Sequence, residues 1–130
     1  MKKEGRQQST ELHHYTTEQG LEGIIASKQI FASTKAKRAK DARYGNGQYL
    51  TDIKPNTYSP EKLSMKLFGG PHSFKRCEHF ISIDVTALEV DSPVKYIFVV
   101  PNEDPLDISD IINASGENIG PPSEKSEEVA

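Results

Sequence analysis

The sequence predicts a small α+β domain with few helices and mostly antiparallel strand pairing. Three observations carry that prediction. The two strongest strand segments, residues 80–85 (FISIDV) and 96–100 (YIFVV), are rich in β-branched and aromatic residues and have no helical pattern between them. Helical spacing of apolar residues occurs only twice, after Thr16 and after Ser59. The resulting order is strand, helix, strand, helix, strand, strand, which segregates the strands instead of alternating them with crossover helices.

Residues 1–10 are polar and expected to fray, so the domain is expected to span 11–114. Residues 12–16 form a short strand, with Leu12, His14 and Thr16 on one face and His13 and Tyr15 on the other. A helix follows, with Thr16 as cap and Gln19 at capping-box spacing, then Leu21, Ile24, Ile25 and Lys28. Gly20 and Gly23 weaken it and suggest close packing. Residues 30–32 form a brief strand and 48–53 a second one. Ser59 caps the next helix, with Pro60 at its first position, Leu63, Leu67 and Phe68 on its buried side, and Gly69-Gly70-Pro71 ending it. From Ser115 the sequence GENIGPPSEKSEEVA offers almost nothing to bury, so 115–130 reads as a disordered acidic tail.

Composition narrows the function classes. A chain of 130 residues fits one domain, and its net charge of −3 gives no global attraction to nucleic acid or anionic membrane. Yet Lys35, Lys37, Arg38, Lys40 and Arg43 crowd into one loop, which reads as a solvated segment or a phosphate contact. One cysteine, Cys77, excludes an internal disulfide and fits a reducing compartment, where a small core role suits it. The N-terminus has no apolar signal segment, and no run is long enough to cross a membrane. A cytoplasmic site of action is therefore expected, reached if necessary by a route without a signal peptide.

Residues 41–52 read DARYGNGQYLTD. Two glycines one residue apart before a strand do not make a dinucleotide fingerprint, which follows a strand and opens a helix. Taken alone, Asn46-Gly47 is a turn centre. The histidines make a poor metal site. His13 and His14 point to opposite faces, and His72, Cys77 and His79 lack a zinc spacing, so no metal is expected.

Taken together, these segments say more. His14 on a strand, then GLEGII, then Gly45-Asn46-Gly47-Gln48-Tyr49-Leu50-Thr51-Asp52 resembles the NAD-binding half of the ADP-ribosyltransferases, in the His-Tyr-Glu branch that includes the poly(ADP-ribose) polymerases. The toxin families with a His-Tyr-Asp signature are more similar still, in the LYHYT-like opening, in GxGxYLTD followed by proline, in the LFG helix end and in a late P-L-D-I segment. The resemblance covers residues 12–111. It implies an ADP-ribosyltransferase-like split pair of small antiparallel sheets, with two main helices, around an NAD cleft.

It also implies roles. His14 would bond a ribose hydroxyl of NAD, the backbone at Tyr15 would pair with the carboxamide, and Tyr49 would stack on the nicotinamide ring. Gly45 and Gly47 would let the backbone approach the ligand, with Thr16, Arg43, Thr51 and Asp52 beside it. ADP-ribosyl transfer passes through a cationic ribosyl transition state, so an acid is expected to face it. The polymerases carry theirs where YIFVV begins, but Lys95 stands there. Asp84 is the first choice, on the polar face of FISIDV, with Asp52 next and Glu78, Asp91 and Glu103 behind. Each has a plainer reading: a lone strand histidine is more often a core residue, and Asp84 and Asp52 suit a strand end and a turn.

The expected function is mono-ADP-ribosyl transfer from NAD, as substrate, to a protein or nucleic-acid acceptor, in the manner of a toxin or effector. Hydrolysis of NAD and non-catalytic binding of NAD or ADP-ribose are the alternatives. A monomer without membrane association is expected, with a cognate inhibitor protein as a further partner.

Overall fold

In the computed structural model, residues 10–37 and 39–122 are described. Eight short strands and two α-helices carry the chain in the order β1 (Glu11–Thr16), α1 (Glu18–Ser27), β2 (Gln29–Ile30), β3 (Gly47–Leu50), α2 (Pro60–Phe68), β4 (His79–Asp84), β5 (Asp91–Val94), β6 (Ile97–Pro101), β7 (Leu106–Asp107) and β8 (Ile112–Glu117). Two 3-10 segments, Ala39–Ala42 and Pro71–Cys77, complete it. The strands form an antiparallel sheet β1-β4-β8, a second antiparallel sheet β3-β6-β5 and a small β2-β7 pair. This is the α+β arrangement of small antiparallel sheets, consistent with an ADP-ribosyltransferase-like fold.

The alternation of β1 sets which side each residue serves. Leu12 pairs with Ile83 and His14 with Ile81, while His13 pairs with Ser82 and Tyr15 with Phe80. Paired residues share a face of the sheet. One face buries Leu12, Ile81 and Ile83 with Ile24 of α1, Ile30, Leu50, Val100 and Ile108. On the other, Tyr15 packs with Ile53, Leu63 of α2 and Cys77. Cys77 is fully buried, and burial pushes its thiol up to about 12, which suits a packing residue and not a nucleophile.

Helix α2 follows the sequence closely: Ser59 accepts from the Lys62 N–H, Pro60 opens the helix, and Gly69 closes it in the left-handed region at φ 79°. Helix α1 departs from it by one residue. Thr17, not Thr16, is the cap, accepting from the Gly20 N–H, and Lys28 leaves the helix as a left-handed cap at φ 59°. Thr16 stays in β1 because it pairs with His79, and its hydroxyl fills the space where a Gly20 side chain would stand. Of the two glycines in α1, only Gly20 is tight; a side chain at Gly23 would meet nothing.

The expected boundary at 114 moves. β8 runs through Glu117, and beyond it Asn118 is buried, accepting from the Asn56 N–H and donating to the carbonyls of Cys77 and Tyr58. Side-chain polarity misled because β8 is held by main-chain pairing to β4 while its side chains face solvent, and Gly116 lies against the Phe80 ring. The fraying expected for 1–10 and the disorder expected for the tail otherwise concern 1–9 and 123–130, which lie outside the described residues.

Candidate active site at the split between the two sheets

Among the described residues, a single backbone bridge joins the two larger sheets. The His13 N–H donates to the Thr51 carbonyl at 2.9 Å, and the Thr51 N–H donates to the His13 carbonyl at 2.8 Å. Along a strand, the N–H and C=O of a residue point the same way and alternate from one residue to the next. Those of Tyr15 therefore also point toward β3. No hydrogen bond joins the Tyr15 main chain to β3, so beyond the bridge the sheets part and present a strand edge with an open N–H and C=O.

His14 sits at this parting. Its Nδ1 lies 2.9 Å from the Tyr49 carbonyl oxygen. A carbonyl only accepts, so Nδ1 carries the proton and Nε2 of the neutral ring is left as an acceptor. Burial holds the pKa of His14 below 6.5, opposed by the Tyr49 carbonyl and assisted by the charge of Arg76. The imidazole thus takes the place of a main-chain donor opposite β3. His13, on the other face, is buried with Nδ1 2.7 Å from the Ser82 hydroxyl, and burial lowers its pKa too.

Tyr49 is braced at its phenol end. The hydroxyl donates to the Gly45 carbonyl at 2.7 Å and accepts from the Tyr44 N–H at 2.8 Å, and its ring remains partly exposed. The glycines serve this arrangement first. Gly45 has φ 111° and Gly47 φ 153°, and a side chain on Gly47 would collide with the Val100 carbonyl oxygen of β6. The close approach that requires Gly47 is thus to a neighbouring strand, where the sequence suggested a ligand.

The remaining expected residues divide. Tyr15 contributes main chain only, since its hydroxyl donates to the Ile53 carbonyl and its ring packs 6.5 Å from Phe80. Thr16 is the next residue of β1, but its main chain points the other way, toward its partner His79 of β4. Thr51 is buried in the bridge, and Asp52 follows it, exposed and close enough for its charge to act on His13. Arg43 is exposed, 5.4 Å from the Tyr44 ring. Asp84 is not brought to His14. It pairs with Glu11, three residues from His14 and so on the opposite face, and its exposed carboxylate accepts from the Thr86 N–H and hydroxyl. Those bonds hold its pKa below the usual carboxylate value. Glu103 accepts from Asn46 in the glycine loop, Asp91 lies on β5, and Glu78 follows Cys77.

Two features escaped the sequence. Gln48 is buried, donating to the carbonyls of Ile30 and Asp104 and accepting from Asn102, so it locks β3 to the β6–β7 connection. Arg76 pairs with Asp41 across from the basic loop, Nη1 to Oδ1 at 3.4 Å. A buried glutamine before the motif tyrosine was the available signal for the first; the second had none. Among the described residues, no group of three or more His, Cys, Asp or Glu is placed to hold a metal ion, and no helix is long and apolar enough to cross a membrane.

No curated protein and no solved structure matches the chain. A family model does, described as HYD1 signature containing ADP-ribosyltransferase, over residues 12–112. That span holds the His14 strand, the glycine loop, Tyr49 and the bridge between the sheets, and on it the chain belongs to this toxin ADP-ribosyltransferase family.

Proposed function

We propose that the chain transfers ADP-ribose from NAD to a macromolecular acceptor, with the nicotinamide end of NAD seated where the two sheets part. The observation that carries this reading is the open main chain of Tyr15 beside the fixed tautomer of His14. A carboxamide carries an N–H donor and a C=O acceptor side by side, and these match the paired C=O and N–H of a strand edge. Nε2 of His14 accepts a ribose hydroxyl, which a neutral ring does and a protonated one does not. Tyr49 offers a ring anchored at its far end, so stacking a flat heterocycle on it loses little freedom.

Bond cleavage leaves a ribosyl cation and neutral nicotinamide, and the cation is then captured by the acceptor nucleophile. A carboxylate facing the cation lowers that barrier. Of the acids, we carry Asp52 forward ahead of Asp84, because Asp52 directly follows Thr51, whose main chain bonds to His13 beside His14, whereas Asp84 pairs with Glu11, three residues from His14 along β1. Non-catalytic binding is the second reading, favoured by Lys95, in the turn that leads from β5 into β6, near where the resembled polymerases have their acid. Incubation with NAD decides between them: release of free nicotinamide supports an enzyme, and dependence of that release on added cell extract supports transfer over hydrolysis. NAD binding without nicotinamide release, in buffer and in extract, would leave the binding module standing and sink the enzyme.

A further inference from the structure

We infer that Arg76 is the cation that grips the diphosphate of the dinucleotide, and that Asp41 is its resident partner until the dinucleotide displaces it. This rests on the reading of the cleft just given. Arg76 stands near the end of the 3-10 segment Pro71–Cys77, and the next residue, Cys77, packs in the cluster beneath Tyr15. From that anchored base the guanidinium lies 4.7 Å from the centre of the Phe68 ring. Its reach ends at Asp41, which belongs to the other wall, in the loop that leaves the Ser33–Gly47 bridge and returns at β3. The pair therefore ties the segment packed beneath Tyr15 to the loop that leads into Tyr49, and the arginine's charge is felt at the His14 imidazole.

The pair is built to be exchanged. Its side chains are 45% and 23% exposed, and its 3.4 Å separation is long for a charge-assisted bond, which prefers about 2.7–2.9 Å. Exposed ion pairs of this kind contribute little to stability. A diphosphate offers more negative charge than one carboxylate, and its oxygens match the planar donor fork of a guanidinium. Stacking on Phe68 keeps that fork oriented whichever anion it holds. The cations of the basic loop are held differently: Lys37, Lys40 and Arg43 are exposed, and Arg43 lies over its own neighbour Tyr44.

The two partners predict changes of opposite sign. Calorimetric titration of the wild type, Arg76→Gln and Asp41→Asn with NAD and with ADP-ribose reads them. Arg76→Gln is expected to weaken both ligands about ten- to a hundredfold, the scale of a lost hydrogen bond to a charged group. Asp41→Asn is expected to tighten both about two- to fivefold, because the competing carboxylate is gone. Melting temperatures of both variants should stay near that of the wild type, and Arg76→Lys, which keeps the charge without the fork, should bind between wild type and Arg76→Gln. Wild-type affinity in Arg76→Gln, or affinity and melting temperature falling together in both variants as for a structural pair, overturns the inference while leaving the cleft intact. Failure of the wild type to bind NAD overturns the cleft reading along with it.

Discussion

His14 has two separable jobs, one for each ring nitrogen. Nδ1–H holds the Tyr49 carbonyl, and Nε2 is left to accept. Asparagine or glutamine can mimic one nitrogen at a time, so His14→Gln is expected to fold and to lose about 10²-fold or more in nicotinamide release, with a smaller change in melting temperature. Protonation acts on the same residue. The folded-state pKa values of His13 and His14 lie below 6.5, so as pH falls through 6.5 the unfolded chain takes up protons before the folded one does. Stability is then fully present above 6.5 and lost progressively toward the lowered folded values. Thermal melts at pH 7.5, 6.5 and 5.5 should show that decline, and His13→Gln should reduce its slope.

Tyr49 and the acids are tested at the same scale. Tyr49→Phe keeps the ring and removes the two loop bonds, worth about 1 kcal/mol each, so it should retain most activity. Tyr49→Ala should lose nearly all of it. Tyr44→Ala should lose little, since the bond Tyr44 makes to Tyr49 comes from its main chain. Asp52→Asn is expected to slow nicotinamide release about 10²–10³-fold and Asp84→Asn to leave it within a few fold. The reverse ranking, with both variants folded, would return the third role to Asp84.

Among the elements, β3 is the one whose geometry the site depends on. Gly47 sits at φ 153° with no room for a side chain against Val100, so Gly47→Ala must move β6 or the glycine loop. A loss of about 1–3 kcal/mol is expected, read by urea denaturation, and NAD affinity should fall with it because Tyr49 hangs on the same loop. Gly23→Ala is the control: a side chain there meets nothing, in a helix, and should stabilise by a few tenths to about 1 kcal/mol. Helix α1 was legible from its spacing but not its cap. Thr16 and Thr17 are chemically alike, and which of them caps depends on the pairing of Thr16 with His79 in the next sheet strand.

For the molecule as a whole, the prediction concerns where the domain stops. Asn118 ties the Asn56 N–H and the carbonyls of Tyr58 and Cys77 to the end of β8, so it closes the α2 side of the domain. A chain ending at Ala114 loses these bonds and half of β8. It should melt well below one ending at Pro122, by more than ~5 °C, since buried groups left without partners cost about 1–3 kcal/mol each. Equal melting temperatures would show that β8 adds nothing to the cooperative unit.

The sequence by itself determined the parts whose cause is local. The strands at 12–16, 80–85 and 96–100 follow from alternation and β-branched residues, α2 from its serine, proline and glycine, and the His14 and Tyr49 motifs from residue type and spacing. Only the tertiary structure decided what depends on partners far along the chain. That His14 is neutral with Nε2 left to accept depends on Tyr49, 35 residues away, and the pairing of Arg76 with Asp41 joins residues equally far apart. Gly47 answers to Val100, and the order of β8 to the edge of β4. Asp84 shows why such facts stay hidden: its alternation within FISIDV is legible in the segment, but that its face is shared with Glu11 and His13 and not with His14 is fixed by the register of β4 against β1. A strand's period is written in its own residues, and its register only in its neighbour's.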